Sequence, residues 1–462
     1  MKLEPAPLPE REPRGVSLVR PRQLILPATL LATVAAGFAL MYYPPEIVLA
    51  AVMALLLGVV LLSRPFVGLL ILLGIMVVQP GELELALAAL HIERIAAAMV
   101  ILATAYELRQ KRTAVFFIGH PLLTAMYLFL LVLCLSMLGS VWLGGTSATI
   151  QAYVRTLAYC LIIINLVRSP QRLATLMRFF MLLHTYLAFQ TLKGYYAGEI
   201  VLAQGISRAV GKTSFGGDPN TLAATLIAAI PIFFLGFRVE RSWGWRVVWG
   251  ASMLACLWTV VLTGSRSGIL GVLLLAVLLW IMSPRKLVTL MAALALLGVV
   301  WLAMPQQYKT RYLTIKNKEL DESSQGRIEA WKAGIQMYLD RPLLGVGAGN
   351  FSPAHAMQAK EFEGKNWLQA HSLYIQLIAE LGTLGALAFL YFLFRMFQNC
   401  ARLIRKFPVH RRDSDYRGVV ARSALIACLA LMLVGIFGHN LYRITWYLMA
   451  GLLIVVDRAQ EA

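Results

Sequence analysis

Runs of apolar residues, each about 17 to 25 long, alternate along this chain with short polar punctuation, the length a helix needs to cross a hydrocarbon core of roughly 30 Å. Read this way, the spans fall at 24–43, 46–62, 66–79, 90–107, 122–142, 150–167, 173–195, 219–237, 245–263, 268–282, 287–304, 372–394, 419–437 and 441–457. The third and tenth are short enough to be re-entrant, so the pattern predicts a bundle of twelve to fourteen transmembrane helices. Ten-residue segments of alternating polarity, the mark of a membrane barrel, are absent. Residues 1–23 carry Pro5, Pro7, Pro9, Pro13 and Pro21 among arginines and acids, with no hydrophobic pattern, and read as a disordered tail. The apolar stretch after them is as long as a full span and has no cleavage site following it, which argues against a signal peptide.

Composition sharpens the class. With 59% hydrophobic and 14% charged residues, the chain cannot fold as a water-soluble globule without leaving apolar surface exposed. The net charge of +19 is spread over many short connections. If the amino terminus is cytoplasmic, Arg64, Arg109 to Arg112, Arg168 to Arg172, Arg238 to Arg246, Arg285-Lys286 and the run from Arg395 to Arg417 all fall inside, as the positive-inside rule asks. The charge therefore encodes orientation, and a nucleic-acid partner is not expected. Cys134, Cys160, Cys256, Cys400 and Cys428 form no CxxC pair or metal-ligand spacing.

That orientation sends four loops outward: 196–218, 264–267, 305–371 and 438–440. The predicted organisation is a cytoplasmic tail (1–23), a transmembrane bundle (24–304), a large periplasmic loop (305–371), C-terminal transmembrane helices (372–457) and a short cytoplasmic tail (458–462). The 305–371 loop is long in a chain of short connections, and long ordered loops commonly carry function. Its lysines and arginines run against the positive-inside bias and point to an anionic partner outside.

Within this loop, Ile328, Trp331, Ile335 and Leu339 recur at helical spacing, with Ser324 available as an N-cap and Pro342 just past the end. A short surface helix is predicted, with Arg327 in its first turn, where only a bound anion would favour a cation. The glycine-rich Leu343 to Phe351 follows no strand, so a tight turn packing the loop onto the bundle is expected in place of a nucleotide site. His371 opens the next span. An imidazole with an ordinary pKa near 6.5 can take a proton from a sugar hydroxyl, although a lone histidine is more often structural. Arg266, between small residues in Thr263-Gly-Ser-Arg-Ser-Gly268, is a charge at membrane depth, and its guanidinium fork suits phosphate oxygens. Arg208, Lys212 and Asp218 lie in another outward loop and are candidates for contacting diphosphate or glycan. Arg155 reads as structural. Glu380 is the main acid within a span, and Asp413-Ser-Asp415 reads as solvated charge.

Several of these segments, in this order, resemble the O-antigen ligase and polymerase superfamily: Phe215-Gly-Gly-Asp-Pro-Asn-Thr-Leu222, Gly-Ser-Arg266-Ser-Gly, Ser-Gln-Gly-Arg327-Ile-Glu-Ala-Trp, Arg-Pro-Leu-Leu-Gly-Val-Gly-Ala-Gly-Asn-Phe351 and Ala-His371-Ser-Leu-Tyr. The resemblance covers roughly residues 215–382. It implies an all-α, GT-C-like membrane glycosyltransferase that uses an undecaprenyl-diphosphate-linked glycan and needs no metal or other cofactor. Arg266 and Arg327 match the family's essential arginines and His371 its essential histidine. Ser372 stands where many members carry asparagine. For a ligase the acceptor is a lipid A-core sugar, for a polymerase another lipid-linked repeat, and for a related ligase a protein hydroxyl. A lipid-linked glycan transporter is the alternative of another class, although no paired interrupted helices are evident.

Overall fold

The computed structural model describes residues 45–79, 91–111, 115–203, 205–212, 217–283, 285–313, 322–358 and 368–458. The expected first span and both terminal tails lie mainly or wholly outside them. Helices appear at the other thirteen expected spans: α1 (Pro45–Ser63), α2 (Pro65–Val78), α3 (Ile92–Gln110), α4 (Pro121–Leu135, continued by a 3-10 turn Ser136–Gly139), α5 (Leu143–Leu166), α6 (Pro170–Tyr196), α7 (Pro219–Val239), α8 (Trp243–Leu262), α9 (Arg266–Met282), α10 (Lys286–Ala303), then α14 (Leu373–Lys406), α15 (Arg417–Val434) and α16 (Ile444–Arg458). Three shorter or amphipathic helices come between the last two groups: α11 (Gln306–Leu313), α12 (Glu322–Asp340) and α13 (Phe351–Gln358). Seven of the described helices (α4 with its extension, α5, α7, α8, α10, α14 and α15) are long and apolar enough to cross a bilayer. The chain is an all-α polytopic membrane protein. One departure is a small antiparallel hairpin, β1 (Ile200–Ala203) and β2 (Ile206–Ala209), in the loop after α6.

Proline marks many of the helix starts. Pro65, Pro121, Pro170 and Pro219 each sit in the first turn, where the missing N–H costs nothing and the fixed φ suits the helix. The most enclosed span is α7, packed by α8, α9 and α15. At the other extreme, α10 has no buried residue, and Leu287, Val288, Met291, Leu294 and Leu302 all face outward. A helix so apolar over its whole surface is solvated only by lipid.

The two ends of the bundle are chemically distinct. The connections predicted to lie on one side meet one another: Arg178 grips Glu240 through two bonds of 2.9 Å, Tyr416 donates to the same carboxylate at 2.8 Å, and Arg412 N–H bonds the Arg238 carbonyl. His120 and Arg402 likewise share Asp457. The predicted outward loops meet at the opposite helix ends.

The glycine-rich turn explains an unexpected break in α14. At Gly382 the backbone leaves helical geometry (φ 61°, ψ −158°), where the sequence reading had a continuous span. The break frees backbone groups that the turn satisfies. Val346 N–H donates to the Ala379 carbonyl at 2.9 Å and Gly347 N–H to the Glu380 carbonyl at 3.0 Å, while Thr383 N–H donates back to the Pro342 carbonyl at 2.8 Å. Non-helical backbone is tolerated at membrane depth only when paired in this way. A Cβ on Gly382 would stand 2.5 Å from the Leu343 carbonyl, and one on Gly345 (φ 65°) 2.5 Å from that of Ala379. The Gly382→Ala protein is therefore expected to be destabilised by about 1–3 kcal/mol, read as a lower unfolding temperature in detergent. An unchanged temperature would mean that the turn does not dock this closely. The turn does pack the loop onto the bundle, as expected.

Candidate active site

α12 begins at Glu322, so Ser324 lies inside the helix and is not its N-cap, and Arg327 sits in the second turn. One face of the helix, Ala330, Gly334 and Met337, packs against Phe351, Ala354, Ala370 and Ala379. Ile328, Ile335 and Leu339 stay exposed. Trp331 Nε1 donates to the Ala370 carbonyl at 3.1 Å, which ties α12 to the residue before His371. Phe437, in the turn between α15 and α16, stacks on Trp331 and lies beneath the Arg327 guanidinium, 6.0 Å from ring centroid to charge. A cation held over an aromatic face in this way is kept in place without losing its charge.

His371 takes a left-handed backbone conformation (φ 43°), which is uncommon for a residue with a side chain. Two contacts fix the start of α14 below it: Leu373 N–H bonds the Gly435 carbonyl at 2.6 Å, and Tyr374 donates to the Met432 carbonyl at 3.0 Å. The imidazole meets that of His439 edge to face, 5.4 Å between centroids. Burial pushes the His371 pKa below the ordinary histidine value. Arg327 pushes it further the same way, and Asp218 partly opposes both. His439, more enclosed and beside His371 and Arg443, is held down to about 4.

A cleft is lined by Asp218, Asn220, Ser267, His371, His439 and Arg443. These residues stand at the amino-terminal ends of four helices, α7, α9, α14 and α16. Asp218 caps α7 by accepting from Thr221 N–H at 2.7 Å, and Ser267 is the second residue of α9, beside Arg266. Four helix N-termini around one cleft concentrate partial positive charge there, an environment suited to an anion.

The sequence candidates sort clearly by position. His371 and Asp218 line the cleft, Arg266 stands beside the lining residue Ser267, and Arg327 is close enough to shift the His371 pKa. Arg208 lies behind the Arg266 turn. It is buried, with Nε on the Thr263 carbonyl at 2.7 Å and Nη2 on Asn220 Oδ1 at 2.9 Å. Tyr308 pins the same turn through the Leu262 carbonyl. Lys212 is exposed, pairs with Glu199 at 2.9 Å and does not line the cleft. Arg443 was missed. The expected span began at Leu441 and enclosed it, whereas α16 begins at Ile444 and leaves it in the turn.

An imidazole poised to accept a proton, beside arginines and helix N-termini able to hold a multivalent anion, is equipped for displacement of a phosphate-type leaving group. Residues 251–390 match the O-Antigen ligase family. That stretch contains Arg266, Arg327, His371 and the kinked part of α14, and it agrees with the superfamily read from the motifs. Asp218, His439 and Arg443 lie outside it. No curated protein matches the chain. The O-antigen ligase match and the apolar helices together describe a multi-pass membrane protein with ligase- or polymerase-type glycosyltransferase character.

Proposed function

We propose that this protein is an O-antigen ligase of the bacterial inner membrane, with both termini cytoplasmic and the cleft facing the periplasm. It transfers a glycan from undecaprenyl diphosphate to a sugar hydroxyl of the lipid A core. The observation that carries this reading is the cleft itself, where His371 and Asp218 line one space with Ser267, the chain neighbour of Arg266, and where the Arg327 charge acts on His371. His371 takes the proton from the acceptor hydroxyl, whose oxygen attacks the anomeric carbon. The bond from that carbon to the diphosphate oxygen breaks, and one displacement inverts the configuration. Undecaprenyl diphosphate leaves with its charge stabilised by Arg266 and Arg327. The diphosphate is already a good leaving group, so the arginines serve where other enzymes use a metal.

The pH dependence follows from the surroundings of His371. A base acts in its unprotonated form, so kcat/KM should fall as pH drops through the depressed His371 value, below about 6.5. Arg327→Gln removes a neighbouring positive charge and should move this acid limb to higher pH. Asp218→Asn removes a negative one and should move it lower. Limbs unmoved in both variants would mean that these groups do not share the cleft with the base.

A deletion strain tests the acceptor. A ligase mutant accumulates polymerised lipid-linked glycan and leaves the core bare. At most a single repeat on the core would instead make the protein a polymerase acting by the same chemistry.

A further inference from the structure

Arg443 is the arginine that the sequence concealed, and its position joins two kinds of space. It lines the cleft together with His371, and with His439 it also lines a second cavity along the start of α16. That second cavity shares Thr225, Ile444 and Thr445 with a third, almost wholly apolar cavity between α2, α6, α7 and α16. The sequence of spaces is thus anion site, then Arg443, then hydrocarbon. The guanidinium is partly enclosed, and desolvation lowers its pKa to about 10, so it stays charged at neutral pH. Its Nη1 donates to the Thr221 carbonyl at 2.8 Å and Nη2 to the Thr221 hydroxyl, which holds the head at the first turn of α7. A guanidinium has five N–H donors, so these two bonds leave donors for a further acceptor. Beside it, His439 Nδ1 is buried without a hydrogen-bond partner among the described residues.

We infer that Arg443 binds the lipid-bearing phosphate of the donor, with the first isoprene unit beyond that phosphate directed towards the apolar cavity along α16. This rests on the diphosphate-donor reading given above. A polar head and a long hydrocarbon tail on one molecule need an anion site that opens onto apolar space, and Arg443 stands where the two meet. Arg266 and Arg327 then act on the sugar-bearing phosphate. Because Arg443 also clasps Thr221, a purely structural role must be separated from binding.

The test is binding of undecaprenyl phosphate and of undecaprenyl diphosphate, neither carrying glycan, to the purified full-length protein in nanodiscs. Arg443→Gln is expected to weaken both by about 10- to 100-fold, the effect of losing charge-assisted hydrogen bonds. Arg443→Lys should recover part of the loss. Thr221→Val removes one partner of the clasp and keeps the charge, so it should bind within about threefold of the unaltered protein. Wild-type binding by Arg443→Gln would overturn the assignment of Arg443 and leave the donor reading standing. Equal losses in Thr221→Val and Arg443→Gln at equal unfolding temperature would reduce Arg443 to a clasp. Failure of the unaltered protein to bind either lipid would overturn the donor reading and this inference together.

Discussion

His371→Ala is expected to abolish glycan transfer while leaving donor binding intact. Removing a general base typically costs 10²- to 10⁴-fold. As a substitute, Asp218 lines the same cleft, but its carboxylate is engaged in capping α7 at Thr221 N–H. His439 is the nearest candidate, but its imidazole is more enclosed, with its Nδ1 buried. The loss should appear in kcat with little change in KM for the donor, because the arginines and helix N-termini that hold the diphosphate remain. Retention of full transfer by the alanine variant would remove His371 from the mechanism. A loss confined to donor affinity would make it a binding group.

The second large effect is expected at Glu380, and it concerns the frame around the site. The carboxylate is buried in α14 and accepts from Gly349 N–H at 2.8 Å, Phe351 N–H at 3.2 Å and the Tyr442 hydroxyl at 2.7 Å. It therefore ties both the glycine-rich turn and the turn carrying Arg443 to one helix. Glu380→Leu leaves these donors without an acceptor in a dry interior, a cost on the order of 3–5 kcal/mol. Glu380→Gln keeps one acceptor oxygen and should lose less. Thermal unfolding in detergent and protease sensitivity near Phe351 measure the effect. A leucine variant as stable as the unaltered protein would mean that these contacts do not hold the turn. These donors also give a structural reason for the main acid within a span.

Much of the architecture was legible because the bilayer imposes a simple rule: about twenty apolar residues per crossing, with proline at helix starts and arginine on one side. The chain obeys it at α7, from Pro219 to Val239, almost residue for residue. The same rule hid two features. Arg443 lies third in the apolar run from Leu441, so averaging over the run absorbed it into the span. The break at Gly382 depends on a partner turn some forty residues earlier, and a glycine in a membrane helix carries no local mark of that pairing. Ser324 misled for a simpler reason, since a serine able to cap a helix can equally sit inside one. Motif order pointed to Arg266, Arg327 and His371, whereas only geometry could set Lys212 apart on its ion pair with Glu199 and put Arg208 behind the Arg266 turn. The hairpin at 200–209, which carries Arg208 there, had no clear period in the sequence.

The most direct measurement is transfer by the purified protein in a defined membrane, supplied with glycan-linked undecaprenyl diphosphate and lipid A-core, without nucleotide or added metal. Glycan joined to the core through an inverted anomeric linkage, with release of undecaprenyl diphosphate and loss of both in His371→Ala, is the expected result. No transfer to the core by a folded protein that binds the donor, or a product with retained configuration, would contradict it.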